Sequence, residues 1–436
     1  MSWWEDDFAA PWPTDVADLV AVRRDLHAHP ELGFTEIRTA ARIIHALNAL
    51  GWSTRFGVDV ADASRAPGLP DNAELEAARQ RAISQGVPVA LANRLARGHT
   101  AVIAELSGDW PGPVIAIRID MDALPIVEDA SEGHLPTRKG FASRNPASMH
   151  ACGHDGHVAM GLALASLLAA RKFAGTVRLI FQPAEEGVRG AALLADAGAV
   201  DGVDVMLAFH LGFGLPTGQI AASATAVHAT NKFRAIFTGE SAHASKAPER
   251  GRHALLAAAT AAIHLHGLPR VAGATTRVNV GRLMSGTVPN IVPDRAEMLF
   301  ETRASTLDAA RLLADLAERV VSAAGDMYSV DVVVEQTGHA TVSHTDPAVA
   351  DVVAASAEAA GLVVLATHPL DASDDATLLM RAVQDAGGIA GYFIIGSTSP
   401  GPPHSPTMDL DEKALQNGVR VLEGMLSTSH PSWVCA

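Results

Sequence analysis

The sequence predicts an α/β protein, a mostly parallel sheet flanked by helices and interrupted by an inserted ferredoxin-like α+β unit. Three observations carry this. The chain has 436 residues, and single hydrophobic cores stop growing near about 250–300 residues, so more than one domain is expected. Strand-like and helix-like runs alternate through residues 100–222 and again from 341 onward, the pattern of parallel strands covered on both faces. Between them the order changes to β-α-β-β-α-β, which is that of a ferredoxin-like unit. The expected organisation is a discontinuous α/β domain of residues 1–222 and 341–436 around an insert of 223–340.

Taken in order, Asp15–His27 and Thr35–Leu50 read as amphipathic helices joined by His29-Pro30-Glu31-Leu32-Gly33. Residues 61–97 read as a helical insertion. There Pro67-Gly68-Leu69-Pro70 precedes Asp71-Asn72-Ala73-Glu74, a capping box opening a helix that stops near Gly86. Strands are expected at Thr100–Leu106 and Val114–Ile119, the second running into Asp120-Met121-Asp122. A helix over Val158–Ala170, a strand over Val177–Phe181, a helix around Ala191 and a strand over Val203–Phe209 follow. The insert reads as strand Lys232–Phe237, helix His253–Leu265, strands Arg277–Leu283 and Arg295–Thr302, helix Leu307–Ala323 and strand Val330–Glu335. The last portion offers helices near Pro347–Ala360 and Ala376–Ala386, a strand at Ala390–Ile395 and a final helix over Asp411–Leu426.

Charge narrows the function classes. The net charge is −15 and no block of lysine or arginine occurs, so nucleic acid and anionic membrane are not expected partners. The N-terminus, Met-Ser-Trp-Trp-Glu-Asp-Asp, has no basic segment followed by an apolar stretch, and no run is long and apolar enough to span a bilayer. A cytoplasmic protein acting on a small molecule is the expectation. The two cysteines, Cys152 and Cys435, make a poor disulfide framework, which leaves Cys152 available as a thiolate.

The chemistry is concentrated in Met149-His150-Ala151-Cys152-Gly153-His154-Asp155-Gly156-His157, where one thiol, three imidazoles and a carboxylate share nine residues. Thiolate and imidazole hold divalent transition ions at neutral pH. A Cys-x-His pair is by itself more often a buried thiol beside a satisfied histidine. Glu185-Glu186 and His210, however, each follow an apolar strand-like run, and neighbouring strand ends converge in open α/β sheets. Cys152, His154, Glu186, His210 and His404 form the candidate ligand set. Five ligands exceed one tetrahedral zinc and suit two ions that together activate water and stabilise an oxyanion. Glu185 is the candidate general base; the plainer alternative is that Glu185-Glu186 caps the helix that follows. Asp122 is a candidate to orient His154, His150 and His157 to brace the site, and Asp120 is left structural.

These residues resemble the metal-dependent amidohydrolases that include aminoacylases, hippurate hydrolases and indole-acetyl-amino-acid hydrolases, relatives of glutamate carboxypeptidase. The resemblance covers nearly the whole chain. It rests on Arg23-Arg24-Asp25-Leu26-His27-Ala28-His29-Pro30-Glu31, Asp120-Met121-Asp122-Ala123-Leu124-Pro125, His150 through His157, Phe181-Gln182-Pro183-Ala184-Glu185-Glu186-Gly187 and Val292-Pro293-Asp294. Within the family the chain looks closest to the branch holding the p-aminobenzoyl-glutamate hydrolases and the indole-acetyl-aspartate hydrolases, on the Gly68-Leu69-Pro70-Asp71 insertion and the Phe141-Ala142-Ser143 approach.

The resemblance implies a dinuclear-metal exopeptidase-like catalytic domain. Two divalent ions, manganese or zinc, would be held by the same five residues, with Glu185 as base. It implies that the insert is a lid and dimerisation domain whose His243 polarises the scissile carbonyl in the opposite subunit. Asn290 and Arg303 would hold the substrate carboxylate, for which a planar guanidinium is suited. Read without the resemblance, His243 is a turn residue and Arg303 a solvated strand end. One departure stands out: where relatives usually have Gly-Ser-Glu-Asp, this chain has Ala372-Ser373-Asp374-Asp375, one methylene shorter at Asp374. The expected function is hydrolysis of N-acyl amino acids, with aromatic acyl conjugates of glutamate or aspartate as the favoured substrates. The alternatives are a broad aminoacylase or deacetylase, a dipeptidase, and a non-catalytic partner subunit. A homodimer is expected, with a heteromeric assembly as the other possibility.

Overall fold

The computed structural model describes residue 15 and residues 17–426. Cys435 and the stretch from Met1 to Asp7, on which the expectation of a cytoplasmic protein rests, lie outside the described residues. The chain forms two compact units. One contains the described residues up to Thr225 with Ser343–Leu370 and those from Asp375 onward; the other contains Ala226–Val342 and Asp371–Asp374.

The first unit begins with α1 (Leu19–Ala28), α2 (Ile37–Ala49), β1 (Ser53–Phe56), α3 (Asn72–Ser84), α4 (Val89–Leu95), β2 (Val102–Ser107) and β3 (Trp110–Asp120). It continues through α5 (Leu135–Lys139), α6 (His154–Leu168), β4 (Ala174–Gln182), α7 (Gly190–Asp196), β5 (Val205–Leu211) and β6 (Gln219–Thr225). The second unit holds β7 (Ala229–Thr238), α8 (Ala254–His266), β8 (Thr276–Ser285), β9 (Arg295–Ala304), α9 (Leu307–Met327) and β10 (Asp331–Ala340). The chain then returns to the first unit with α10 (Pro347–Ala359), β11 (Val363–Pro369), α11 (Ala376–Asp385), β12 (Ile389–Ile395) and α12 (Lys413–Leu426).

Local chemistry sets the boundaries. α1 opens at Leu19 rather than at Asp15, because the Asp18 carboxylate accepts from the Ala21 amide and caps the helix there. The first turn of α2 is capped from a distance: Glu31 accepts from the amides of Arg38 and Thr39 at 2.9 and 2.8 Å. α3 starts with the capping box of Asp71 and Glu74.

The sheet of the first unit has the order β1-β2-β4-β3-β5-β12-β6-β11. β3–β4, β3–β5, β5–β12 and β6–β11 are parallel, while β1–β2, β2–β4 and β6–β12 are antiparallel. The parallel centre explains the unbroken apolar runs, since every residue of β5 is buried. Ile117, Phe181, Leu207 and Phe393 share a core with Val158, Leu162, Leu415 and Val419 of α6 and α12. The strand ends of β3, β4 and β5 therefore lie side by side, and each carries or leads into titratable residues.

In the second unit four antiparallel strands run in the order β10-β7-β9-β8. β9 alternates in burial along its length, and its inward residues Met298 and Phe300 pack with Phe233, Phe237, Ala257 and Val321. Among the described residues no helix is long and apolar enough to cross a membrane.

Candidate metal and catalytic site

The site is built at the ends of three adjacent strands of the first unit. β3 ends in Asp120 and leads to Asp122, β4 leads to Glu185-Glu186, and His210 is the penultimate residue of β5. Cys152 and His154 come from the turn that opens α6, where Gly153 has a φ of +100°. That left-handed conformation is strained for any residue with a Cβ and readily adopted by glycine. His404 sits in the loop before α12, its amide donating to the Ala151 carbonyl at 2.8 Å.

The fold brings the five sequence-picked donors into one neighbourhood. Cys152 Sγ lies 3.5 Å from His210 Nε2. Donor atoms of Cys152, His154 and Glu186 all fall within 4.8 Å of one another. His404 Nε2 closes the group at 3.3 Å from Glu186 Oε2. Glu185 is buried beside them, its Oε2 3.9 Å from His154 Nε2. Two imidazoles are fixed by backbone carbonyls: His154 Nδ1 donates to the Asp122 carbonyl at 2.9 Å and His210 Nδ1 to the Leu211 carbonyl at 2.8 Å. Each bond turns Nε2 toward the other donors.

Asp122 acts on three residues at once. Its carbonyl fixes His154, while its carboxylate accepts from the amides of Glu185 at 2.9 Å and Glu186 at 3.1 Å. Asp120, left structural by the sequence, belongs to the site: its Oδ2 is 3.5 Å from His154 Nε2, and it pairs with Arg118 and with His157 Nδ1. His157 also braces β5, its Nε2 accepting from the Leu211 amide at 3.0 Å. His150 is different, for it is buried with neither ring nitrogen hydrogen-bonded, and burial lowers its basicity to about 4. Any bracing by His150 is therefore by packing. Asp375 ties the neighbouring elements, accepting from Gln182 Nε2 at 2.7 Å and the Ala191 amide at 3.0 Å.

The electrostatics favour added positive charge. Burial disfavours a charged His154, yet Asp120, then Asp122 and Cys152, outweigh it and hold this imidazole well above its usual range. Burial, with Glu186 next, pushes the Cys152 thiol well up. His154 Nε2 is buried with no hydrogen-bond partner. A thiol, imidazoles and carboxylates aimed at one space, with an orphaned ring nitrogen among them, fit a borderline-soft divalent ion such as zinc, and manganese through the oxygen donors.

Three expected substrate residues lie in the second unit. The exposed His243 accepts at Nδ1 from the Ser245 amide at 3.2 Å and bridges to Ile291. The carbonyl of Asn290 accepts from the Ala244 amide at 3.1 Å. Arg303, on β9, is held in a two-pronged pair with Glu301 at 2.9 and 3.1 Å. Asp374 also belongs to this unit and is buried.

Residues 116–428 match the sequence profile of peptidase family M20/M25/M40. The chain is 43% identical to the indole-3-acetyl-aspartic acid hydrolase of Enterobacter agglomerans, over 92% of this chain and 93% of that one. It is 41% identical to one of the subunits of p-aminobenzoyl-glutamate hydrolase from Escherichia coli K12, again over 92% and 93%. Among solved structures, an aminobenzoyl-glutamate utilization protein from Klebsiella pneumoniae superposes with a TM-score of 0.77 at 37% identity, over 92% of this chain and 94% of that one. A dinuclear metal binding peptidase of the M20 family from Bacillus subtilis gives 0.62 at 26% identity, over 94% and 97%.

Proposed function

Because the chain belongs to peptidase family M20/M25/M40, we propose that it is a hydrolase of N-acyl amino acids with two divalent ions, manganese or zinc, held by Cys152, His154, Glu186, His210 and His404. The observation that carries this is the gathering of those donors around Cys152 and Glu186 with the Glu185 carboxylate 3.9 Å from His154. Ions bound there would supply Lewis acidity, making water acidic and neutralising negative charge on the carbonyl oxygen.

The chain's own residues do the rest. Glu185 takes the proton of the attacking water and hands it to the departing amine, for which a buried carboxylate one residue from a ligand is well placed. Asp122 holds the amides of Glu185 and Glu186, so that the two adjacent carboxylates keep separate tasks. His243 would polarise the scissile carbonyl of the partner subunit's substrate in a homodimer, with the insert as lid and dimerisation domain. Asn290 and Arg303 would select the free carboxylate. For Arg303 this requires exchanging Glu301 for the substrate.

The favoured substrates are aromatic acyl conjugates of aspartate or glutamate, supported by the names of the Enterobacter agglomerans and Escherichia coli relatives at 43% and 41% identity. A heteromeric assembly is the second reading of the quaternary state, because one of those relatives is named as one subunit of its hydrolase. The test is release of free amino acid by the full chain with manganese from indole-acetyl-aspartate, p-aminobenzoyl-glutamate, hippurate and acetyl-methionine. Preference for one of the first two is expected. Preference for acetyl-methionine overturns the substrate class, and turnover by Glu185→Gln at the native rate overturns the mechanism.

A further inference from the structure

The segment between α1 and α2 contains residues that no step above uses, and it runs beneath both catalytic loops. The Glu31 carbonyl accepts from the Ala123 amide at 2.8 Å, and Leu32 bridges to Ala123, bracing the turn that carries Asp122. Glu36, fully buried, reaches the other loop: its Oε1 accepts from the Ala184 amide at 2.9 Å, and its Oε2 accepts from Thr100 Oγ1 at 2.7 Å.

Three successive amides, those of Ala184, Glu185 and Glu186, thus end on two buried carboxylates, Glu36 for the first and Asp122 for the other two. The loop needs this hold. Ala184 has a φ of +55°, a left-handed conformation that a non-glycine residue keeps only where its surroundings impose it. The fit is close from the same side, since a Cβ on Gly33 would stand 2.9 Å from the Ala184 Cα.

We propose that Glu36 is a positioning residue for Glu185, fixing the peptide that enters the Glu185-Glu186 turn and so aiming the carboxylate that moves the proton. This rests on Glu185 being the base. Without Glu36 the Ala184 amide is buried and unsatisfied, the peptide can turn, and the base drifts from its working position while the substrate-binding surfaces stay as they were. The effect therefore belongs in kcat and not in KM.

Length and hydrogen-bonding reach at position 36 separate this from a general electrostatic role. Gln at 36 keeps the reach and an acceptor for the Ala184 amide, with its Nε2 donating to the Thr100 hydroxyl instead. Asp keeps the carboxyl but is one methylene short of spanning both partners. Steady-state kinetics of Glu36→Gln, Glu36→Asp and Glu36→Ala, with Glu185→Gln alongside, give the test. The expected result is a fall in kcat of about tenfold or more for Glu36→Asp and Glu36→Ala with KM within about threefold, and Glu36→Gln within about threefold of native in both. Should Glu36→Ala fail to fold, the Gln and Asp pair decides. Glu36→Asp within threefold of native kcat, or Glu36→Gln falling as far as Glu36→Asp, overturns the proposal. If Glu185→Gln keeps native turnover, the base assignment fails; if it abolishes turnover while Glu36→Asp does not, only the positioning role fails.

Discussion

Asp122 links the proposed ligand His154 to the loop of the proposed base through two different groups, its carbonyl on His154 and its carboxylate on the amides of Glu185 and Glu186. Asp122→Asn keeps the carbonyl but sets an amide NH2 against one backbone N–H. Steady-state assays should show activity lowered by about 10–100-fold, the usual size for outer-shell partners of a metal site; an unchanged rate would mean the clasp is dispensable. Glu36 gives a pH prediction. Burial, with the Asp122 carboxylate next, pushes its carboxyl up from 4.5 to about 8. A folded-state value above the unfolded one means that its contribution to stability is present below about 4.5 and is lost as pH rises through about 8. The melting temperature of the native chain should therefore fall relative to Glu36→Gln between about pH 5 and 8. A difference that stays constant, or shifts in favour of the native chain, over that range would contradict it. At this scale much of the site was legible, because Cys152 and His154 share one short cluster of donors, and the glutamates and His210 close apolar runs. Asp120 and Glu36 were not. A carboxylate inside an apolar strand end or just ahead of a helix has no local signature, and its role is set by the Arg118, His157 and Ala184 groups that only the tertiary fold brings to it.

At the scale of elements, α1 is tied to the start of α6 and the approach to α12 by one buried guanidinium. Arg23 donates to Asp155 at 2.8 Å and to Asp409 at 2.6 Å, and stands 3.5 Å from Glu412. Removing one member of a buried ion network leaves the others unpaired. Arg23→Ala should accordingly cost about 3–5 kcal/mol, read as a lowered urea midpoint. Arg24 is half-buried and pairs with Glu412 through two prongs at 2.8 and 2.7 Å, and Arg24→Ala should cost clearly less than Arg23→Ala; equal losses in the two variants would refute the distinction. The central strands were legible from their apolar runs, and the insert from its β-α-β-β-α-β order. β1, β6 and β11 were missed. β1 has only four residues, β6 is Gln-Ile-Ala-Ala-Ser-Ala-Thr with little apolar bulk, and β11 is an edge strand without alternating burial, placed by its pairing with β6. The helix start at Asp18 was missed because the cap is chosen by an Asp18–Ala21 bond that Asp15 could equally have offered in sequence.

For the whole molecule, the two units have separate cores, one around Phe181 and Phe393 and the other around Phe237 and Phe300. Ions bound by the first unit should stabilise that unit by mass action. Hydrogen exchange after chelation should thus lose protection in the opening of α6 and in residues 183–187, and leave β7 and β9 unchanged. Equal loss across both units would contradict this. The most direct measurement of the central claim is the metal content of the purified full chain after dialysis against manganese or zinc, by elemental mass spectrometry. Two ions per native chain are predicted, and one at most in Cys152→Ala, because the Cys152 sulfur is near both His210 and the His154 and Glu186 donors. A native chain that retains one ion or none contradicts the account.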